Sequence, residues 1–114
     1  SVLSHMDAAG EEAKAISVIS YGELLYGAMK SQRPERNLAR ARHIGEIFPV
    51  IDVSRAIVET FGSIKAELRR KGTPLADFDI VIAATAMTLG YCLVTNNERH
   101  FKRIDGLRIE NWAK

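Results

Sequence analysis

Three carboxylates in this sequence sit against apolar neighbours: Glu23 in Gly22-Glu23-Leu24-Leu25, and Asp77 and Asp79 in Leu75-Ala76-Asp77-Phe78-Asp79-Ile80. Acids placed this way suit a hard divalent cation such as Mg²⁺, which takes a few protein oxygens and keeps positions open for water and phosphate. Downstream, Thr95-Asn96-Asn97-Glu98 adds a hydroxyl and amide oxygens. A structural alternative stands beside each residue. Glu23 could complete a Ser20-x-x-Glu23 capping box, Asp77 could be an N-cap, and Asp79 could be a first-turn acid favoured by the helix dipole. Thr95 and Glu98 could form a second capping box, with the asparagines supporting a turn. Spacing alone does not decide between metal binding and capping.

Other chemistries lack their residues. His5, His43 and His100 are far apart, and none has a second histidine or cysteine at zinc-site spacing. No two glycines bracket a single residue and no glycine precedes Lys-Ser or Lys-Thr, so dinucleotide and Walker-type phosphate cradles are missing. A phosphatase reading lacks a nucleophilic Asp-x-Asp-x-Thr. Cys92, the single cysteine, lies in the apolar run Tyr91-Cys92-Leu93-Val94 and reads as a buried thiol. The net charge of +2 does not announce a polyanion partner. Its basic residues are nevertheless grouped: Arg33, Arg36, Arg40 and Arg42, then Arg69, Arg70 and Lys71, then Arg99, Lys102 and Arg103. Such groups are solvated helix faces or, if gathered on one side, a rim that attracts phosphate.

The 114 residues fit one domain, and 46% apolar with 26% charged residues is ordinary for a packed globular chain. No apolar run approaches the ~20 residues that span a bilayer, and the start lacks a secretion-signal layout, so a cytoplasmic protein without membrane contact is expected. Residues 7–15 read as a polar loop and 16–19 as a strand, with Ser20 capping a helix over 21–29. A second helix over 35–46 turns Leu38, Ala41, Ile44 and Ile47 inward and carries arginines outside. A strand over 48–53 leads to Ser54 as N-cap of a long helix over 56–71, closed by Gly72, with Ile57, Phe61, Ile64 and Leu68 as its buried stripe. The helix predicted over 78–89, capped by Asp77 and ended by Gly90, is apolar nearly all round. A strand over 91–94, a turn with a short helix over 95–102, and a last strand over 107–109 complete the order. Strands alternating with helices argue for a parallel α/β sheet covered on both faces, whose ligands bind beyond the carboxyl ends of the strands. Glu23, Asp79 and Asn97 would meet there.

Taken in order, Ser20-Tyr21-Gly22-Glu23-Leu24-Leu25-Tyr26-Gly27, Leu75-Ala76-Asp77-Phe78-Asp79-Ile80-Val81-Ile82-Ala83-Ala84, Thr95-Asn96-Asn97-x-x-His100-Phe101, and Gly106-Leu107 with Asn111-Trp112 resemble the PIN-domain ribonucleases, specifically the VapC-like toxins. The resemblance spans nearly the whole chain and implies a three-layer α/β/α fold around a central parallel sheet. It implies an endoribonuclease that uses Mg²⁺ or Mn²⁺ to cleave RNA, is held by a small antitoxin, and forms a homodimer. Glu23 and Asp79 match the family's metal-site carboxylates, Asn97 stands where many members have another aspartate, Asp77 matches an accessory acid, and Thr95 matches a small hydroxyl residue near the site.

One departure stands at the front. Family members open with a strand ending in an Asp-Thr-Asn/Ser motif whose aspartate is a metal ligand, and Ser1-Val2-Leu3 resembles the residues just after that aspartate. Asp7 is too far downstream to take its place. The expectation is therefore an N-terminally shortened PIN fold, with apolar groups and backbone partners left open at the sheet centre. The same departure motivates a second reading, a catalytically impaired PIN fold acting as a protein-interaction module.

Overall fold

The computed structural model describes residues 5–8, 14–95 and 97–110, and its strands form one five-stranded sheet in the order β3-β2-β1-β4-β5. In chain order the elements are β1 (His5–Ala8), β2 (Lys14–Ser17), α1 (Val18–Met29), α2 (Pro34–Ile47), β3 (Val50–Ile51), α3 (Arg55–Lys71), α4 (Asp77–Leu89), β4 (Tyr91–Val94), α5 (Glu98–Phe101) and β5 (Ile109–Glu110). The α/β class is as expected. β2 pairs parallel with β3, and β4 parallel with β5. β1 is antiparallel to both β2 and β4, so the other four strands share one direction and only the central strand opposes them.

That central strand differs from the sequence reading, which placed a loop over residues 7–15. β1 and β2 form an antiparallel pair with Met6 opposite Ala15, while Met6 also lies opposite Leu93 of β4. The physical reason lies in the neighbours: Ala15, Ile16 and Leu93 are all fully buried, and two such strands leave rows of amide groups that need partners away from water. Met6, 1% exposed, fills the apolar space between them. The open sheet centre expected from the sequence is thus occupied among the described residues. Residues 1–3, Asn96, and the Asn111-Trp112 pair of the motif lie outside them.

β2 also begins and ends earlier than expected, which changes the start of α1. Ser17, not Ser20, is the N-cap: its hydroxyl accepts from the Ser20 backbone N–H at 3.0 Å. Ser20 is buried inside the helix, and the Ser20–Glu23 capping box does not form. Glu23 is thereby relieved of a capping duty. α2 follows the expectation except that Ile47, assigned inward, is 57% exposed. β3 keeps only two residues of the six-residue strand expected there.

α3 is the helix that the sequence describes best. Ser54 accepts from the Ile57 N–H at 3.2 Å, Gly72 closes the helix in the left-handed region at φ 71°, and Arg69, Arg70 and Lys71 occupy the last turn, where the dipole favours cations. Ile57, Ile64 and Leu68 are buried and Phe61 packs against that core. α4 runs against α3, and its Ala83, Ala84 and Ala86 are fully buried, small enough to let neighbours approach closely. Thr85, also fully buried, satisfies its hydroxyl on the Val81 carbonyl at 2.8 Å. Asp77 is the first residue of α4 and Ala76 its N-cap, with no side-chain cap, so the capping role expected of Asp77 is not taken. α1 packs on α2 and touches α4. Cys92 is half-buried, and no helix among the described residues is long and apolar enough to cross a membrane.

Candidate active site

Glu23 and Asp79 reach one place from two helices. α1 springs directly from the end of β2 and carries Glu23 in its second turn, whereas Asp79 sits in the first turn of α4, after the Thr73-Pro74 loop. Contact between α1 and α4 brings the acids within electrostatic range. Glu23 is exposed as a residue, yet local shielding of its carboxyl, and secondarily the negative charge of Asp79, raise its pKa above the ordinary carboxylate value. Among the described residues Glu23 forms no ion pair.

Asp79 has a second neighbour. Nδ1 of His100 stands 3.9 Å from its Oδ2, and the same nitrogen is 3.0 Å from Nδ2 of Asn97. Asn97 is therefore linked to Asp79 through His100, a residue for which the sequence reading only excluded a zinc site. The signal that could have found it is spacing: Asn97 is the N-cap of α5 and His100 is three residues on, on the same side of one helical turn. Thr95 is buried at 1% exposure, and its hydroxyl accepts the Asn97 backbone N–H at 3.0 Å, which shapes the exit from β4. The Thr95–Glu98 capping box is replaced by this shorter turn, and α5 begins without a side-chain cap.

Asp77 points elsewhere. Lys65 of α3 holds it at 2.9 Å, tying the first turn of α4 to α3. The site thus gathers Glu23, Asp79, His100 and Asn97, with Thr95 beneath the turn and Asp77 to one side.

A divalent cation suits this arrangement chemically, because a hard cation between two neighbouring carboxylates relieves their repulsion. No group of three or more His, Cys, Asp or Glu among the described residues is arranged to hold a metal ion. A cation here would therefore draw the rest of its oxygens from water, phosphate or the Asn97 amide.

The comparisons with known proteins decide the family. The PIN domain family model matches residues 3–107. The tRNA(fMet)-specific endonuclease VapC of Shigella flexneri is 46% identical over 98 residues, covering 86% of this chain and 74% of that protein. The chain belongs to the PIN-domain family, among its VapC members. Ribonuclease VapC2 of Haemophilus influenzae is 43% identical over 98 residues, again across 86% of this chain and 74% of that protein. Among solved structures, DNA-bound VapBC from Salmonella typhimurium superposes with a TM-score of 0.82 at 47% identity, covering 86% of this PIN-domain chain and 74% of the other. VapBC-1 from nontypeable Haemophilus influenzae gives a TM-score of 0.82 at 31% identity, covering 88% and 75%.

Proposed function

We propose that this PIN-domain protein is a metal-dependent endoribonuclease toxin, a single domain that cleaves RNA phosphodiester bonds and is neutralised by an antitoxin. The observation that carries the reading is the convergence of Glu23 and Asp79, supplied by separate helices and close enough that the charge of Asp79 adds to the raised pKa of Glu23. Its kinship with proteins named VapC ribonuclease or endonuclease supports the reaction class. The VapBC complexes among its structural relatives support an antitoxin partner.

Glu23 and Asp79 are the residues to hold Mg²⁺ or Mn²⁺, with the Asn97 side-chain oxygen completing the protein's share. When bound, such an ion supplies charge neutralisation at the phosphate and a lowered pKa for water. His100 fixes the relative placement of Asp79 and Asn97, and Thr95 sets the turn from which Asn97 projects. Asp77 is accessory in a mechanical sense, anchoring the first turn of α4 to α3 through Lys65. The exposed arginines of α2 and the basic last turn of α3 draw the RNA backbone in a salt-dependent manner. The toxin acts in the cytoplasm as a homodimer.

The test is incubation with RNA, transfer RNA included, in Mg²⁺ or Mn²⁺. Products that form with metal, stop on chelation and resume on re-addition support the function, and their absence removes it. The alternative, an impaired PIN fold that only binds its antitoxin, predicts complex formation without any metal-dependent product.

A further inference from the structure

Arg103 joins the two segments that carry Asp79 and His100. Its backbone N–H donates to the carbonyl of His100 at 3.3 Å, and its guanidinium, through Nη1, donates to the carbonyl of Pro74 at 3.0 Å. His100 belongs to α5, whose N-cap is Asn97, while Pro74 lies in the loop that leads into α4 and its first-turn Asp79. Phe101 and Ile104 on either side of Arg103 are buried, so the backbone that carries this exposed side chain is seated in the core. Next along the chain, Asp105 pairs with Lys71, the last residue of α3, just before the same loop. The loop is held at its other points by the Thr73 N–H, which donates to the carbonyl of Leu68 at 3.0 Å, and by Leu75, which packs against the core.

We propose that Arg103 is a positioning residue of the metal site: it holds α5 at a set distance from the first turn of α4 and thereby fixes His100 and Asn97 against Asp79. The inference rests on the endoribonuclease reading for the metal role of Asp79 and Asn97, and extends it to a residue outside the site. Two observations favour this role. Nδ1 of His100 is 3.9 Å from the Asp79 carboxylate, beyond hydrogen-bond reach, so that contact does not lock the spacing by itself. A hydrogen bond from a guanidinium is charge-assisted and directional, which suits it to set such a spacing from one turn away. The competing role for an arginine of this basic group is a phosphate contact, which is served better by a guanidinium turned to solvent than by one already bonded to a protein carbonyl.

The test compares the whole chain as wild type, as Arg103→Met, which keeps most of the apolar stem and removes the donors, and as Arg103→Lys, which keeps a charged donor. In metal-free buffer at one pH, the ring-proton NMR signals of His100, identified by their loss in His100→Gln, should move in Arg103→Met toward those of a histidine in water and stay in place in Arg103→Lys. Mn²⁺ affinity by calorimetry should fall about tenfold in Arg103→Met, the lower end for groups that support a metal ligand. In a His100→Ala background the same substitution should lower it no further, because residues that act through one contact are not additive. RNA affinity in chelator should be unchanged. Unmoved His100 signals, or an Mn²⁺ loss as large in the His100→Ala background as in wild type, overturns the proposal. So does weakened RNA binding with a salt slope reduced by about one, the mark of a phosphate contact. Moved His100 signals in a chain whose wild type neither binds Mn²⁺ nor cleaves RNA keep the placement by Arg103 and remove the endoribonuclease reading, so the two fail separately.

Discussion

Glu23 of α1 and Asp79 of α4 stand close enough that, after local desolvation, the aspartate's charge is the second cause raising the pKa of the glutamate. In the folded chain Glu23 therefore binds a proton more readily than it does unfolded. Its ionisation opposes folding, with a sign that can be worked out. Below the ordinary glutamate pKa of ~4.3 the carboxyl is protonated in both states and nothing is lost. As pH rises from there through the raised folded value, stability falls, and it stays lower at neutral pH.

Glu23→Gln removes that ionisation. In metal-free buffer the variant should be more stable than wild type at pH 7 and should lose this advantage as the pH drops below the glutamate range, as read from urea midpoints across pH. Saturating Mn²⁺ should raise the melting temperature of wild type and leave the variant's unchanged, because binding to the native state alone stabilises it by mass action. A wild-type protein more stable than the variant at pH 7 without metal would contradict the placement of the two acids.

Asp77 pairs with Lys65 at 2.9 Å, with side chains 58% and 50% exposed respectively. Pairs this open contribute less than about 1 kcal/mol. Asp77→Asn should therefore cause a small loss of stability and leave metal affinity unchanged by calorimetry. A drop in affinity of about tenfold or more would make Asp77 a true outer-sphere partner of the metal.

The packing of α1 on α2 depends on a missing side chain. A Cβ on Gly45 would lie 2.7 Å from Cε1 and 3.0 Å from Cζ of Tyr21. Gly45→Ala should destabilise the fold by about 1–3 kcal/mol through overpacking. In a Tyr21→Leu background the same substitution should cost much less, since neighbouring residues are not additive. Equal losses in both backgrounds would show that the ring is not what limits the site.

The helices were legible because each carries its own local code. Ser54 and Gly72 delimit α3, the apolar run from Ile80 to Met87 marks α4, and Gly90 ends it in the left-handed conformation at φ 72°. β4 was legible too, as a short apolar run between a glycine and a threonine. The central strand was not, because its place is set by the needs of β2 and β4, between which Met6 is buried. The start of α1 was misread for a related reason: Ser17 and Ser20 are equally good caps in isolation, and the pairing of β2 with β3 selects the first. Within the candidate site Glu23, Asp79 and Asn97 could be named from residue type; His100 stands at a readable spacing from Asn97, but its approach to Asp79 is a tertiary contact that the spacing does not disclose.

The central claim is that Asp79 with Glu23 holds the metal for RNA cleavage. It is tested most directly by a single-turnover cleavage assay in saturating Mn²⁺ comparing the wild-type chain with Asp79→Asn, a change that keeps side-chain shape and removes charge. Wild type should cleave, and the variant should be slower by at least about 100-fold, beyond the 10- to 100-fold typical of groups that merely support a metal ligand. Equal cleavage by the two proteins would contradict the account.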